Sequence, residues 1–359
     1  MKAERQLRRR SFPGIPNERV ETVGQLPELL HVAALRVPGA RVFSSRSLFT
    51  SYKLFDRAVG QKLVHVPCEA VVCMDASGAA TFESARKLGV MTVLNCLDSH
   101  PDHQNRLLRE TWGLPEDHHE LVSPETARRV ERELELSDIV LVPSRYVARQ
   151  LEERSIDDAR IVIQPFGVDL AAFRPSEETV ARTRPLRCLY IGQISHRKGI
   201  RVLLHAARRL RHRPIEFDLI GPLVSPEVLE RTSHNVRWHG ASVYGDVPEL
   251  MREADVFALP SIDDAYGLVV VEAMASGLAV VVTDHAGASE IVTDGVDGLV
   301  VVAGDVPPLV DAIEHLFDDP EKRLELGLAA RRRVENTHSW DDYGASVLRT
   351  VADRLGPVE

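Results

Sequence analysis

Aromatic residues make up only 5% of this 359-residue chain, so its core must be built from aliphatic side chains, which supply most of the 44% of apolar residues. Positive charge is also short. A formal net charge of -9 excludes the broad basic surface that a nucleic-acid partner would need, while leaving room for the few cations that hold a phosphate. The four cysteines, Cys68, Cys73, Cys96 and Cys188, show no CxxC spacing and are too sparse for a disulfide framework. Three sit in apolar runs, and they read as reduced, buried cysteines of a cytoplasmic protein. No run approaches the roughly 20 continuous apolar residues of a spanning helix, and the opening MKAERQLRRR lacks the apolar stretch of a signal peptide. There is no HExxH, no paired Cys and His set and no Asp-x-Asp clamp, so neither a metal nor a cofactor is implied. Internal repeats and low-complexity tracts are absent as well.

What is present is an α/β rhythm, over a length that suits two domains better than one. From about Leu63 short aliphatic runs alternate with amphipathic stretches: LVHV, AVVCM, VMTVLNCL, IVLVPS and RIVIQPF. Runs this short and this rich in Val and Ile suit parallel strands buried on both faces. Between them PETARRVERELELSD reads as a helix capped by Ser123 with Pro124 in its first turn. Residues Phe173 to Pro185 break the rhythm with prolines and charges, as a linker would. A second series follows: RCLYIG, a helix striped by Ile200, Leu203, Leu204, Ala207 and Leu210, then FDLIG, a helix opened by Ser225 and Pro226, and VRWHG. It ends with a helix from Asp246 whose Glu249 has capping-box spacing, VFALPS, a helix through VVVEAMAS stopped by Gly277, AVVVT, and charged amphipathic helices from about Pro307 to Leu355. Two similar α/β domains facing a cleft are the simplest arrangement, with ligand loops at the carboxyl ends of the strands.

The sharpest chemical constellation is PSIDDAYGLVVVEAMASG, in which Asp264 and Glu272 flank the turn AYG. Gly267 lets the backbone approach a ligand closely, and the helix behind it offers the amides of Leu268 and Val269 to an anion. Side chains lean toward a helix N-terminus, so the Glu272 carboxylate should return to the same opening and can accept from two ribose hydroxyls. The bland alternative is a solvated helix residue and a turn former. A second constellation, LYIGQISHRKGI, runs from a strand through Gly192 and Gln193 to Arg197 and Lys198, where a flexible ammonium can neutralise a leaving pyrophosphate. The third, TDHAGASEIVTDGVDGLVV, adds Gly287 and Ser289 before a short helix.

In this order the segments resemble the retaining GT-B glycosyltransferases of family 4, with their Gly-x5-Lys-Gly loop, acidic-x7-Glu motif and Gly-x-x-Glu-Ile-Val segment; the likeness covers nearly all of residues 138 to 345. The resemblance implies two Rossmann-like, doubly wound domains around a central cleft, the first lacking its opening strand. It divides the chain into an acceptor domain over 1–178 and a nucleotide-sugar donor domain over 179–340, with a final helix of about 341–359 packing back on the first. It implies that Lys198 holds the donor diphosphate with Gly192, Gln193 and Arg197 beside it, that the amides of Leu268 and Val269 meet the phosphate, that Glu272 takes the ribose and Asp264 the donor sugar or phosphate. Base contacts fall to backbone around Trp238 to Gly240, including His239, and His100, with His103 behind it, is the histidine close to the transferred sugar. Asp75 and Ser77, after AVVCM, can line the acceptor side, although turn residues are the commoner reading.

Three departures stand out. Gln193 replaces a usual arginine, with Arg197 the candidate to compensate; Asp264 is a shorter acid than the usual Glu; and the chain opens on MKAERQLRRRSFPGIPNERV instead of a strand and a glycine-rich loop. The implied activity is metal-independent, retaining transfer of a sugar from a UDP- or GDP-sugar to a hydroxyl acceptor, sugar or lipid-linked, in polysaccharide or glycolipid assembly. Two rivals stay open: a nucleotide-sugar epimerase, which would convert donor without acceptor, and a non-catalytic nucleotide-sugar-binding subunit. The basic opening with Arg5, Arg8, Arg9 and Arg10 allows weak contact with an anionic inner membrane face, at about 1 kcal/mol per nearby cation, against the alternative of a solvated leader.

Overall fold

A computed structural model describes residues 41–176, 184–229, 232–242 and 244–356. The expected membrane-facing arginines and part of the linker therefore lie outside the described residues. Among those described, no helix is long and apolar enough to cross a membrane.

The first sheet is wholly parallel and runs in chain order: β1 (Ala70–Met74), β2 (Met91–Asn95), β3 (Ile139–Val142) and β4 (Ile161–Ile163). Around it lie α1 (Arg41–Leu63), α2 (Ala79–Leu88), α3 (Pro101–Trp112), α4 (Pro124–Leu136) and α5 (Arg145–Glu152). Val93, Leu94, Ile139 and Val140 are fully buried, and each such side chain contributes about 1.5–3 kcal/mol of burial. Ser123 caps α4 as its sequence predicts, accepting from the Thr126 amide at 3.1 Å with Pro124 at the first helical position. The turn after β1 is fixed by buried acids. Glu133 of α4 accepts from the amides of Ala76 (2.6 Å) and Gly78 (2.7 Å), while Asp56 of α1 takes those of Ala80 and Thr81 at 2.8 Å. Arg129 pairs with both carboxylates, so neither negative charge is buried alone.

The second sheet comprises β5 (Leu186–Ile191), β6 (Ile215–Ile220), β7 (Val236–Trp238), β8 (Val256–Leu259), β9 (Ala279–Thr283) and β10 (Leu299–Val301), in the order β10-β9-β8-β5-β6-β7, all parallel. This is the doubly wound order 3-2-1-4-5-6 read from the other edge, and the winding reverses between β5 and β8. Its helices are α6 (Ile200–Arg209), α7 (Val247–Glu253), α8 (Leu268–Ala275), α9 (Val306–Asp318) and α10 (Pro320–Glu335). Loops leaving β5 and β8 therefore meet at the switch point. The last helix, α11 (Trp340–Leu355), packs Val347 and Val351 against the first sheet, and its Tyr343 hydroxyl accepts from Asn95 at 3.3 Å.

Four sequence expectations need correction. LVHV is the end of α1 and a turn, because the helical stretch before it carries through Leu63 and a four-residue apolar run has no period of its own. Ser225 and Pro226 open only a 3-10 turn, Pro226–Leu229. At α7 the Asp246 side chain caps nothing, and Glu249 pairs with Arg252 instead. Finally, Leu299–Val301 forms a three-residue edge strand too short to stand out beside the glycines around it.

Candidate functional site

The β5–α6 and β8–α8 loops fit together at the switch point because glycine is the only residue the contact admits. Gly199, which starts α6 at φ 67°, lies so close to the loop after β8 that a Cβ there would stand 1.8 Å from the Pro260 carbonyl oxygen. Ile262 and Asp263 donate their amides back to the Arg197 carbonyl at 2.9 and 3.3 Å. This docking brings Lys198 Nζ to 2.5 Å from Asp264 Oδ2. Gly267, at φ 86°, starts α8 with its Cβ direction 3.7 Å from the same Asp264 oxygen. Lysine ammonium, aspartate and the start of α8 thus converge.

Burial opposes the charge on both partners of that pair. It pushes the Lys198 ammonium below the ordinary lysine range; Asp264, despite the same burial, is held below the usual carboxylate range by Lys198 and Arg197. Arg197 is itself kept charged, against burial, by Asp264, Asp98 and Asp263. Glu272 lies in the second turn of α8 and is 3% exposed.

The other expected residues divide. Gln193 and Arg197 line a cavity of about 300 Å³ between the two sheets, whose opposite wall includes Asp75, Asp98, Ser99 and Gln104 of the first domain. Gly192 follows β5, its carbonyl against Gly221, where any Cβ would stand 1.7 Å from that oxygen. His239 follows β7, donates its amide to the Leu219 carbonyl and brings its ring to Asp218 (Nε2 to Oδ1, 2.6 Å). His100 takes a capping position. It is the cap of α3, with Nδ1 accepting from the Asp102 amide at 3.3 Å and Nε2 lying 3.2 Å from Glu131; with 3% exposure it belongs to the interior of the first domain. Pro101 at the first helical position makes capping the natural role of the residue before it. His103 instead reaches the Tyr146 hydroxyl at 3.0 Å.

Several residues that sequence reasoning passed over hold the two domains around this point. Asp263 Oδ1 accepts from Ser99 Oγ at 2.7 Å and from the Tyr146 hydroxyl at 2.9 Å, and burial pushes its carboxyl up. Glu120 accepts from the amides of His196 and Arg197, both at 2.9 Å, and from the His196 ring at 2.8 Å. Although burial works the other way, those bonds and one from Ser225 lower its pKa to about 2. Glu290 reaches across to the first amides of α5, at Arg145 (2.8 Å) and Tyr146 (2.5 Å). The doubled acid of IDDAYG was a usable hint for Asp263; for Glu120 no local pattern exists. Among the described residues, two groups bring three possible metal-ligand side chains within 4.8 Å, His118 with His119 and Glu227, and His100 with Asp102 and Glu131; neither includes Lys198, Asp264 or Glu272.

With the geometry in place, likeness to known proteins becomes informative. The model of the family described as Glycosyl transferases group 1 matches residues 175–333. A D-inositol 3-phosphate glycosyltransferase of Pseudarthrobacter chlorophenolicus is 32% identical over 279 residues, 68% of this chain and 66% of that protein. The enzyme of the same name from Mycobacterium bovis is 29% identical over 79% of this chain and 66% of its own length. The chain thus spans just under two thirds of the curated relatives it matches. Among solved structures, sucrose-phosphate synthase from Thermosynechococcus elongatus superposes with a TM-score of 0.65 at 20% identity, covering 88% of this chain and 79% of that one. Anabaena Alr3699/HepE in complex with UDP gives 0.67 at 17% identity, covering 82% and 80%. At such identities the structural likeness speaks for the fold, two parallel-sheet α/β domains in the GT-B arrangement.

Proposed function

Since residues 175–333 make this chain a member of the group 1 glycosyl transferases, we propose that it transfers a sugar from a nucleoside diphosphate sugar to a hydroxyl acceptor, with retention at the anomeric carbon and without a resident metal. Residues 1–178 serve the acceptor in this reading and 179–340 the donor. The observation that carries it is the meeting of Lys198, Asp264 and the start of α8 at the point where the second sheet reverses its winding, the place where such sheets bind nucleotides. UDP in the Anabaena neighbour makes a uridine donor the first choice.

Negative charge grows on the departing diphosphate as the sugar leaves. Lys198 and the amides of Leu268 and Val269 stabilise that charge more in the transition state than in the ground state, which is what lowers the barrier. The diphosphate displaces Asp264 from the ammonium, freeing that carboxylate for the donor sugar, while Glu272 holds the ribose. The acceptor attacks from the face the diphosphate leaves, and the leaving phosphate takes its proton. His100, committed to capping α3, has no part in this scheme. The curated relatives are named for a phosphorylated polyol acceptor; for this chain the proposal stops at a hydroxyl, on a glycan or lipid-linked precursor at the cytoplasmic face.

A panel of UDP, GDP, ADP and dTDP in thermal melts tests the donor half, since a ligand that binds only the folded chain raises its melting temperature. One diphosphate is expected to stand out, and its sugar conjugates then serve as donors with and without acceptor. A flat panel would reject the reading; conversion of the donor sugar without acceptor would replace transfer by epimerisation.

A further inference from the structure

The cleft cavity is unlike the donor loops beside it. Of about 300 Å³, it is large enough for one sugar-sized ring. Its first-domain wall presents Asp75 and Asp98, with hydrogen-bonding side chains from Ser99, Gln104 and Thr126; the opposite wall presents Gln193 and Arg197. Among the described lining residues Arg197 is the sole lysine or arginine, and its guanidinium is already shared by Asp98, at 3.7 Å, and by Asp264 and Asp263. The Asp75 carboxylate is fixed by accepting the amides of Leu97 (3.2 Å) and Asp98 (3.4 Å), in a turn that Glu133 holds from behind. Glu120, on the same lining, directs its oxygens at His196, Arg197 and Ser225.

Among the described residues this wall offers acceptors and, beside the committed Arg197 and the His119 ring that meets Val224 and Ser225, no basic side chain. A hydroxyl or an ammonium would donate to Asp75 or Asp98, whereas a phosphoryl group would bring two further negative charges beside carboxylates that nothing new neutralises. We infer that this cavity receives the acceptor and selects one that offers hydroxyl or amine hydrogens and carries no phosphoryl group. The inference rests on the glycosyl-transfer reading and narrows it, setting this chain apart in acceptor chemistry from relatives named for inositol 3-phosphate. Asp75 already leans toward protonation, pushed up to about 7 by burial and by Asp98, and a second anion there would push it further.

The test is equilibrium binding to the full chain by saturation-transfer NMR, with and without UDP. Two matched pairs serve as probes: myo-inositol against inositol 3-phosphate, and glucosamine against glucosamine 6-phosphate. The unphosphorylated member of at least one pair should bind at least tenfold more tightly than its phosphate; inositol alone would mark a hydroxyl site, and glucosamine alone an amine site. Asp98→Lys, at an exposed side chain, should shrink that ratio at least tenfold without unfolding the chain. Phosphorylated probes binding equally or better, none of the four binding, or an unchanged ratio in Asp98→Lys would overturn the inference. Discrimination by binding with no sugar transferred from any donor would instead count against the glycosyl-transfer reading, so the two failures are separable.

Discussion

The two walls of the cleft are built on opposite principles. On the second-domain side, ligand groups come from loops that directly continue β5 and β8, and their positions follow from short-range spacing: a glycine that admits close docking, a lysine before it, a helix start behind Gly267. On the first-domain side, the polar groups are arranged by partners far away in sequence, as Glu133 arranges the turn of Asp75; the loop of His196 and Arg197 on the other wall takes one such partner too, Glu120. One wall sets Lys198 and Arg197 among Asp263, Asp264 and Glu272; the other, among its described lining residues, has Asp75 and Asp98 and no lysine or arginine. In the proposed reading, the difference teaches that donor capture would be a property of local motifs and acceptor choice a property of tertiary assembly.

The sharpest way to break this contrast is at Lys198. Lys198→Ala should lower turnover about a hundredfold, the usual effect of removing one charge-stabilising donor, in steady-state assays with the donor found by melting; Glu272→Ala should cost at least tenfold, expressed mainly in donor KM. Near-normal activity in both would show that the donor wall is placed elsewhere. Next in size is Gly199→Ala. Its Cβ would collide with Pro260 at a positive φ, so the two loops should separate, with the nucleotide-induced melting shift lost and the melting temperature lowered by several degrees. Ordinary nucleotide binding in this variant would mean that loop docking is not needed.

Glu120→Gln probes the opposite wall through pH. The folded pKa of about 2 lies below that of an unfolded glutamate, so the ion contributes stability above pH of about 4.5 and loses it as pH falls toward 2. The gap in stability between wild type and Glu120→Gln should be on the order of 3 kcal/mol at pH 7 and close over that window in denaturant titrations; a gap constant with pH would deny the buried glutamate its role. The smallest effect should come from His100→Ala. Loss of a helix cap costs about 1 kcal/mol, with turnover of the folded enzyme unchanged, and a selective fall in kcat would return this histidine to the reaction.

Legibility in the sequence follows the same division. The strands IVLVPS, RCLYIG and AVVVT could be read because parallel strands covered on both faces are continuous aliphatic runs; AVVCM reads the same way although Val72 and Met74 are exposed at the edge of its sheet. Ser123, Gly267 and Gly277 marked helix ends for the same local reason. The juxtaposition of Lys198 with Asp264 was implied by motif order and is realised by the exchange of winding between β5 and β8. LVHV misled because four apolar residues at a helix end look like a strand. For His100 the sequence leaves two roles open, because a histidine before proline serves a helix start as readily as a ligand. Glu120, Asp263 and Glu290 were not singled out because each acts across the domain boundary, and a chain pattern does not record which acids will face which amides.

A crystal structure of the chain with the nucleoside diphosphate that best stabilises it is the most direct measurement. The β-phosphate should lie within hydrogen-bonding distance of Lys198 Nζ and of the Leu268 or Val269 amide, with the ribose hydroxyls on Glu272. A diphosphate seated away from all three groups, leaving the Lys198–Asp264 pair undisturbed, would contradict the account.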